Sequence, residues 1–242
     1  MTETKKDLLY EGKAKKVYAT TKPDQLIQEF KDSLTAFNAQ KKGSFKGKGT
    51  VNLKITTCIF NYLAKMGVNS HYLKTIDDQN ILVEKLNMIP LEVVVRNFAA
   101  GSMSTRLGIT EGTLLSKPIV EFYLKKDELG DPLITDDHVV MLKVATVAEI
   151  DHLKSCALKI NIALKKMFSD IGIDLIDFKI EFGKNKKGEI VLADEISPDS
   201  CRLWDKATGE KLDKDRFRRD LGKVEESYHL VCDKILKVWG KH

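Results

Sequence analysis

The stretch LIDFKIEFG, residues 175–183, alternates charged and apolar side chains: Asp177, Lys179 and Glu181 against Ile176, Phe178, Ile180 and Phe182. Side chains of a strand point to opposite faces in turn, so the pattern predicts a strand with one apolar face in a core and one charged face. KNKKG follows as a turn, and EIVLADEIS reads as the returning strand of an antiparallel hairpin. If Asn185 to Gly188 form a four-residue loop, Lys184 pairs with Glu189, and Asp194 falls opposite Lys179 and diagonal to Glu181. Two carboxylates then converge beside one ammonium. Such a pair is tolerable only if Lys179 or a bound cation compensates its repulsion, and Mg²⁺ accepts one or two carboxylates completed by phosphate oxygens and water. A strand face that is merely solvated is the alternative reading, and a different loop register would send Asp194 to the apolar side.

Around this hairpin the period of the sequence changes several times. DLLYEG, KKVYAT and LIQEF are strand-like runs in the manner of an antiparallel meander. From Thr50 to Met66, Val51, Ile55, Cys58, Ile59, Tyr62, Leu63 and Met66 recur at helical spacing, and Gly67 supplies a stop. HYLKTI, NILVEKL and LEVVVRNFA read as further strands, and Pro90 between the last two marks a crossing. Helical patterns run from Val147 to about Ile171 and from about Val224 to Trp239. The expected architecture is α+β in two lobes, residues 1–89 and 90–242. KKGSFKGKGT, before the first helix, reads as an exposed, mobile polar loop.

Composition narrows the classes. No apolar run approaches the roughly 20 residues of a membrane span, and the opening MTETKKDLLYEG lacks the apolar core of a secretory signal, so a cytoplasmic protein is expected. Cys58, Cys156, Cys201 and Cys232 are scattered, without the spacing of a disulfide framework or a zinc site. The formal net charge is +5, and residues 1–90 carry 15 Lys and no Arg against 9 acidic residues. That surplus suits a polyphosphate or a nucleic acid, or simply solubility.

Three further segments offer chemistry. In ISPDSCRLWD, the turn Ser197 to Ser200 has amides and hydroxyls suited to an anion, and Arg202 offers a planar fork for carboxylate or phosphate; a helix-capping turn would look similar. LEVVVRNFAAGSMSTRLG places Arg96 in a valine-rich strand and Gly101 and Ser102 before a short helix, an arrangement that leaves amides pointing outward. An interior ion pair is the alternative for Arg96. YEGKAKKVY sets one glycine between two strands, with Lys13 and Lys15 on one side, and matches neither common glycine-rich phosphate fingerprint.

LLYEGKAKKVY, MIPLEVVVRNFAAGS, LIDFKIEFG and LADEISPDSCRLWD, in this order, resemble the SAICAR synthetase family, the phosphoribosylaminoimidazole-succinocarboxamide synthases. The resemblance runs from about Leu8 to the last helix. It implies an ATP-dependent ligase of purine biosynthesis that joins L-aspartate to 5-amino-1-(5-phosphoribosyl)imidazole-4-carboxylate, giving ADP and phosphate with Mg²⁺. It also implies a small kinase-like antiparallel β lobe joined to a larger ATP-grasp-like lobe. Carried over by motif, Gly12, Lys13, Ala14, Lys15 and Val17 would cover the nucleotide, and Lys85 to Met88 would form its adenine-side hinge. Lys125 would be a further nucleotide or phosphate contact, and Glu181 and Asp194 would hold magnesium. Arg96, Ser102 and Arg202 would grip the ribonucleotide, with Ser197 and Asp199 on the substrate side and Asp177 and Lys179 beside the reacting groups.

The chemistry accounts for these residue types. A carboxylate must be activated before an amine can displace its oxygen, most simply as an acyl phosphate, and lysines with Mg²⁺ neutralise the charge on the phosphoryl group. Asp177 is expected to position rather than deprotonate, with Lys179 keeping its carboxyl ionised. Small-molecule substrates and a homodimer are expected, with no nucleic-acid or membrane partner. Two rival classes are a kinase-like phosphotransferase and a basic RNA-binding module; the second lacks aromatics interleaved with its basic residues.

Overall fold

The computed structural model describes residues 3–36 and 40–240. Three strands open it as an antiparallel meander: β1 (Leu8–Glu11), β2 (Lys15–Ala19) and β3 (Gln25–Phe30). A two-stranded ribbon follows, β4 (Ser33–Ala36) with β5 (Lys41–Ser44), and then helix α1 (Lys48–Lys65). The segment expected to be a mobile loop is therefore part strand and part helix start. Both Asp32 carboxylate oxygens accept from the entry to α1, from Gly47 N at 3.0 Å and Gly49 N at 2.9 Å. Gly49 passes so close to the Phe30 carbonyl that a Cβ would overlap it. β6 (Tyr72–Thr75) and β7 (Asn80–Glu84) complete a first sheet of order β1-β2-β3-β7-β6.

The second sheet begins at β8 (Asn87–Phe98). α2 (Ser102–Leu107), β9 (Leu114–Leu124), β10 (Leu133–Ile134), α3 (Asp136–Met141) and α4 (Val147–Asp170) follow, then β11 (Ile173–Lys184), β12 (Ile190–Ala193) and β13 (Cys201–Asp205). α5 (Asp215–Arg218) and α6 (Val224–Trp239) end the chain's described elements. The order is β10-β9-β8-β11-β12, and β11 is the long central strand. Its second edge is shared end to end, by β13 beside Ile173–Phe178 and by β12 beside Glu181–Lys184. Residues 194–200 leave the sheet in the gap between them, next to Lys179, whose N–H donates to Ser200 O at 2.8 Å. α4 packs on β11 and β8, and α1 packs on α6. Ile55, Ile59, Leu63, Val93, Val95, Leu164, Phe168, Phe178 and Ile180 belong to the main core, each at most 1% exposed. Among the described residues, no helix is long and apolar enough to cross a membrane.

Three further expectations change, and the alternative of a merely solvated face falls. The hairpin register is Lys184 with Ile190 rather than with Glu189, because the loop has five residues, so Asp194 does not pair opposite Lys179. The alternation of β11 slips at a bulge between Leu175 and Asp177: Ile173 and Leu175 join the main core with Phe178, Ile180 and Phe182, whereas buried Ile176 lies outside that cluster. The charged face is not a solvated one, since Asp177 is 4% and Glu181 3% exposed. Pro90 lies inside β8 rather than at a crossing. A register irregularity between Glu181 and Gly183 accommodates the missing N–H, while the Pro90 carbonyl still accepts from Lys125 N at 3.0 Å.

Candidate active site

The N-terminal half of β11 carries Asp177 between two arginines. Asp177 Oδ2 accepts from Arg96 Nη1 at 2.9 Å and from Arg202 Nη1 at 2.8 Å. Arg96, only 3% exposed, also donates to Glu121 at 2.7 Å, Ser102 Oγ at 3.2 Å and Tyr123 OH at 3.1 Å. Arg202 also donates to Asp215 at 2.9 Å. Burial opposes its charge, but Asp177 and Asp215 more than offset this and raise its pKa. Gly101 explains how the fork reaches this place. It enters α2 at φ 54°, ψ −131°, and a Cβ there would overlap the Arg202 guanidinium. Arg96, Ser102, Asp177, Lys179, Asp199 and Arg202 all line one cavity of about 350 Å³. Arg96 is thus both an interior ion-pair partner and a cavity residue.

The other half of the face is an acid–lysine cluster. Glu181 accepts from Lys125 at 2.5 Å and from Lys179 at 3.3 Å, and Lys179 also donates to Glu92 at 2.7 Å. Burial works against the Lys179 ammonium, yet Glu181, Asp194 and Glu92 raise its pKa. Lys179 therefore serves these carboxylates rather than Asp177, whose partners are arginines. Lys15, from β2 of the first sheet, reaches across to Asp194 and lies 3.9 Å from Glu195. Burial disfavours the Asp194 carboxylate, but Lys15 first, then Lys179, hold its pKa well below the ordinary range. Burial also raises the pKa of Glu195, and one of its oxygens, Oε2, has no hydrogen-bond partner.

Asp194 comes to this cluster by a route that periodicity does not encode. With the observed register an extended residue 194 would face the apolar side. Instead β12 stops at Ala193 and Asp194 adopts φ 61°, the left-handed conformation, which brings its carboxylate to Lys15. Its carbonyl meets His71 Nε2 at 3.2 Å. His71 is buried and neutral, its pKa pushed down to about 4 by burial and then by Lys15.

Of the remaining predicted residues, Lys13 also lines the arginine-lined cavity and the others lie outside its lining. Gly12 turns the chain between β1 and β2, with its N–H donating to Lys15 O at 2.8 Å, and Ala14 O accepts from Lys31 N at 2.8 Å. Lys13 is half exposed and reaches Asp127 at 3.1 Å; Val17 is mid-strand in β2. Lys85 and Met88 are exposed at the passage from β7 into β8. The turn Ser197 to Ser200 does not leave free amides for an anion. Ser197 N donates to Ser200 Oγ, Asp199 N to Ser197 Oγ, and Ser200 N and Cys201 N to Ser197 O. Asp199 is likewise engaged internally, by Lys48, by Asn52 Nδ2 at 2.9 Å and by Tyr228 OH at 2.8 Å.

Periodicity and motif spacing missed Lys48, Lys214, Glu92, His71 and Glu195. Lys48 is 1% exposed, and nothing in KKGSFKGKGT distinguishes it from its neighbouring lysines. Lys214 lines the cavity with its Nζ 3.9 Å from Asp199, and burial lowers its pKa. Only Glu195 carried a signal, its place beside Asp194.

The likeness to known proteins is nearly full length. A sequence profile described as SAICAR synthetase matches residues 8–235. A phosphoribosylaminoimidazole-succinocarboxamide synthase of Wolinella succinogenes is 53% identical over 233 residues, 96% of this chain and 99% of the relative. The crystal structure of the Ehrlichia chaffeensis enzyme of the same name superposes with a TM-score of 0.93 at 44% identity, covering 95% of this chain and 98% of the other. A SAICAR synthetase solved in complex with ADP superposes with a TM-score of 0.91 at 49% identity, covering 93% and 96%. With more than half of its residues shared along almost its whole length, the chain belongs to the SAICAR synthetase family.

Proposed function

We infer that the chain is the ATP-dependent ligase of its family, joining L-aspartate to 5-amino-1-(5-phosphoribosyl)imidazole-4-carboxylate in purine biosynthesis and releasing ADP and phosphate. One observation carries the reading. A single strand face, from Asp177 to Glu181, joins an arginine-lined cavity to an acid–lysine cluster that Lys15 completes from the other sheet. The arginine end suits the anionic ribonucleotide, with Arg96, Ser102 and Arg202 as its contacts and Ser197 and Asp199 shaping the adjoining turn. The lysine end suits a triphosphate, with Lys15 and Lys125 on phosphate, Gly12 to Val17 over the nucleotide and Lys85 to Met88 at its base edge.

The residues present fit Mg²⁺. Among the described residues no three His, Cys, Asp or Glu side chains gather to hold a metal alone. Magnesium does not need that, since one or two carboxylates with phosphate oxygens and water satisfy it. Glu181 and Asp194 would hold it, and the unpartnered Glu195 oxygen is a further hard donor nearby. The ion would neutralise charge on the phosphoryl group. Asp177 and Lys179 position the reacting groups, and phosphorylation of the imidazole carboxylate gives the acyl phosphate that the aspartate amine attacks.

In the same reading the first sheet belongs to a kinase-like lobe, residues 1–89, closing over an ATP-grasp-like lobe, residues 90–242, with β8 starting just before that boundary. The working unit is a homodimer in the cytoplasm. A coupled phosphate-release assay tests the chemistry: free phosphate should appear only when ATP, the imidazole carboxylate and aspartate are all present. Transfer of phosphate to another acceptor without aspartate would instead mark a phosphotransferase.

A further inference from the structure

His71 fills a position that packing alone could give to Leu or Phe. It is 3% exposed, and its ring lies edge-on to Phe60 at 5.8 Å and 88°. A buried imidazole needs a polar partner, and the partner here is the Asp194 carbonyl at 3.2 Å. A carbonyl only accepts, so Nε2 carries the hydrogen. No other donor reaches that carbonyl among the described residues. The backbone of His71 is anchored on both sheets: its N–H donates to Leu192 O at 2.8 Å, and its carbonyl accepts from Glu84 N at 2.7 Å. The ring is therefore a fixed post beside the one residue whose left-handed conformation turns a carboxylate into the charged cluster.

We propose that His71 is a positioning residue: its Nε2–H holds the Asp194 peptide in the left-handed conformation and so aims the Asp194 carboxylate at the metal and phosphate region. This rests on the reading of Asp194 as a magnesium ligand. It belongs with outer groups that orient metal ligands, whose loss costs about 10–100-fold in metal affinity. The side chain is expected to act on metal-dependent nucleotide binding and not on the cleft in general.

The test is equilibrium binding of ADP to the full chain, with and without Mg²⁺. Asp194→Asn should abolish the Mg²⁺ enhancement. His71→Leu should cut that enhancement by about ten-fold while metal-free ADP binding stays within about two-fold. His71→Gln places an amide N–H where Nε2 stood and should keep the enhancement, whereas the shorter His71→Asn should lose it. In the Asp194→Asn background His71→Leu should add nothing. Should His71→Leu not fold, the Gln and Asn variants decide: a difference between them supports the proposal and equality overturns it. An intact enhancement in His71→Leu, or equal losses with and without Mg²⁺, also overturns it. If Asp194→Asn itself keeps the enhancement, the metal reading falls, an outcome distinct from failure of His71 alone.

Discussion

Lys48→Met should destabilise the protein although no substrate is expected to touch Lys48. The ammonium is 1% exposed and paired with Asp199, whose side chain is 5% exposed. Removing one partner of a buried ion pair costs about 3–5 kcal/mol, because the other charge is left without compensation. Asp199 would keep its hydrogen bonds from Asn52 and Tyr228, with Lys214 at 3.9 Å. The expected loss is therefore at the lower end, about 3 kcal/mol, or roughly 10²-fold in the unfolding constant. Urea unfolding followed by the fluorescence of Trp204 and Trp239 measures it at pH 7. Burial disfavours the Asp199 carboxylate, but Lys48, then Lys214, hold its pKa below the ordinary value. Stabilisation from such a group is present above the unfolded pKa of about 3.9 and is lost as pH falls through the folded value. The gap between variant and parent should thus narrow below about pH 4. Adding Asp199→Asn should recover part of the loss, since the orphaned charge is gone. A loss under about 1 kcal/mol at pH 7, or a gap that widens in acid, would refute the reasoning.

Three other outcomes follow from the same geometry. Arg202→Lys cannot span Asp177 and Asp215 with one ammonium, so KM for the ribonucleotide should rise about ten-fold; an unchanged KM counts against Arg202 as a substrate contact. Gly101→Ala meets both a conformation reserved for glycine and the Arg202 guanidinium, and should cost about 2 kcal/mol, seen as a fall in Tm of about 4–8 °C. His71, with a folded pKa of about 4 against an ordinary 6.5, stays neutral while the unfolded chain takes up a proton. Its contribution is intact above pH 6.5 and lost as pH falls toward 4, so His71→Gln should flatten the stability profile of the metal-free protein in that window.

Much of the fold was legible because periodicity reports which face of an element is buried. The long helices were placed within about two residues, α1 expected over 50–66, α4 over 147–171 and α6 over 224–239, since each buries a continuous stripe. β1 to β3 and β11 were equally visible. The ribbon of β4 and β5 was not, because β4 alternates buried Leu34 and Ala36 over only four residues and β5, KKGS, carries no apolar residue. The lysines of KKGSFKGKGT look alike in sequence, yet Lys48, at the start of α1, is buried and Lys41, in β5, lies beside exposed Asp220.

The site divides along the same line. Local pattern marked Asp177, Lys179 and Glu181 as neighbours on one face, and they are, because strand geometry is a property of adjacent residues. It could not fix their partners. Arg96 and Arg202, from strands 81 and 25 residues away, take Asp177, whereas Glu92 and Glu181 take Lys179. A loop one residue longer than expected shifted the hairpin register, and a left-handed turn at Asp194 restored the carboxylate that the shift would have hidden. Sequence by itself determined which residues are chemically able to serve this protein and which of them share a strand. Tertiary structure alone decided which charges neutralise one another, because ion pairing depends on distances between segments that only the closed chain brings within a few ångströms.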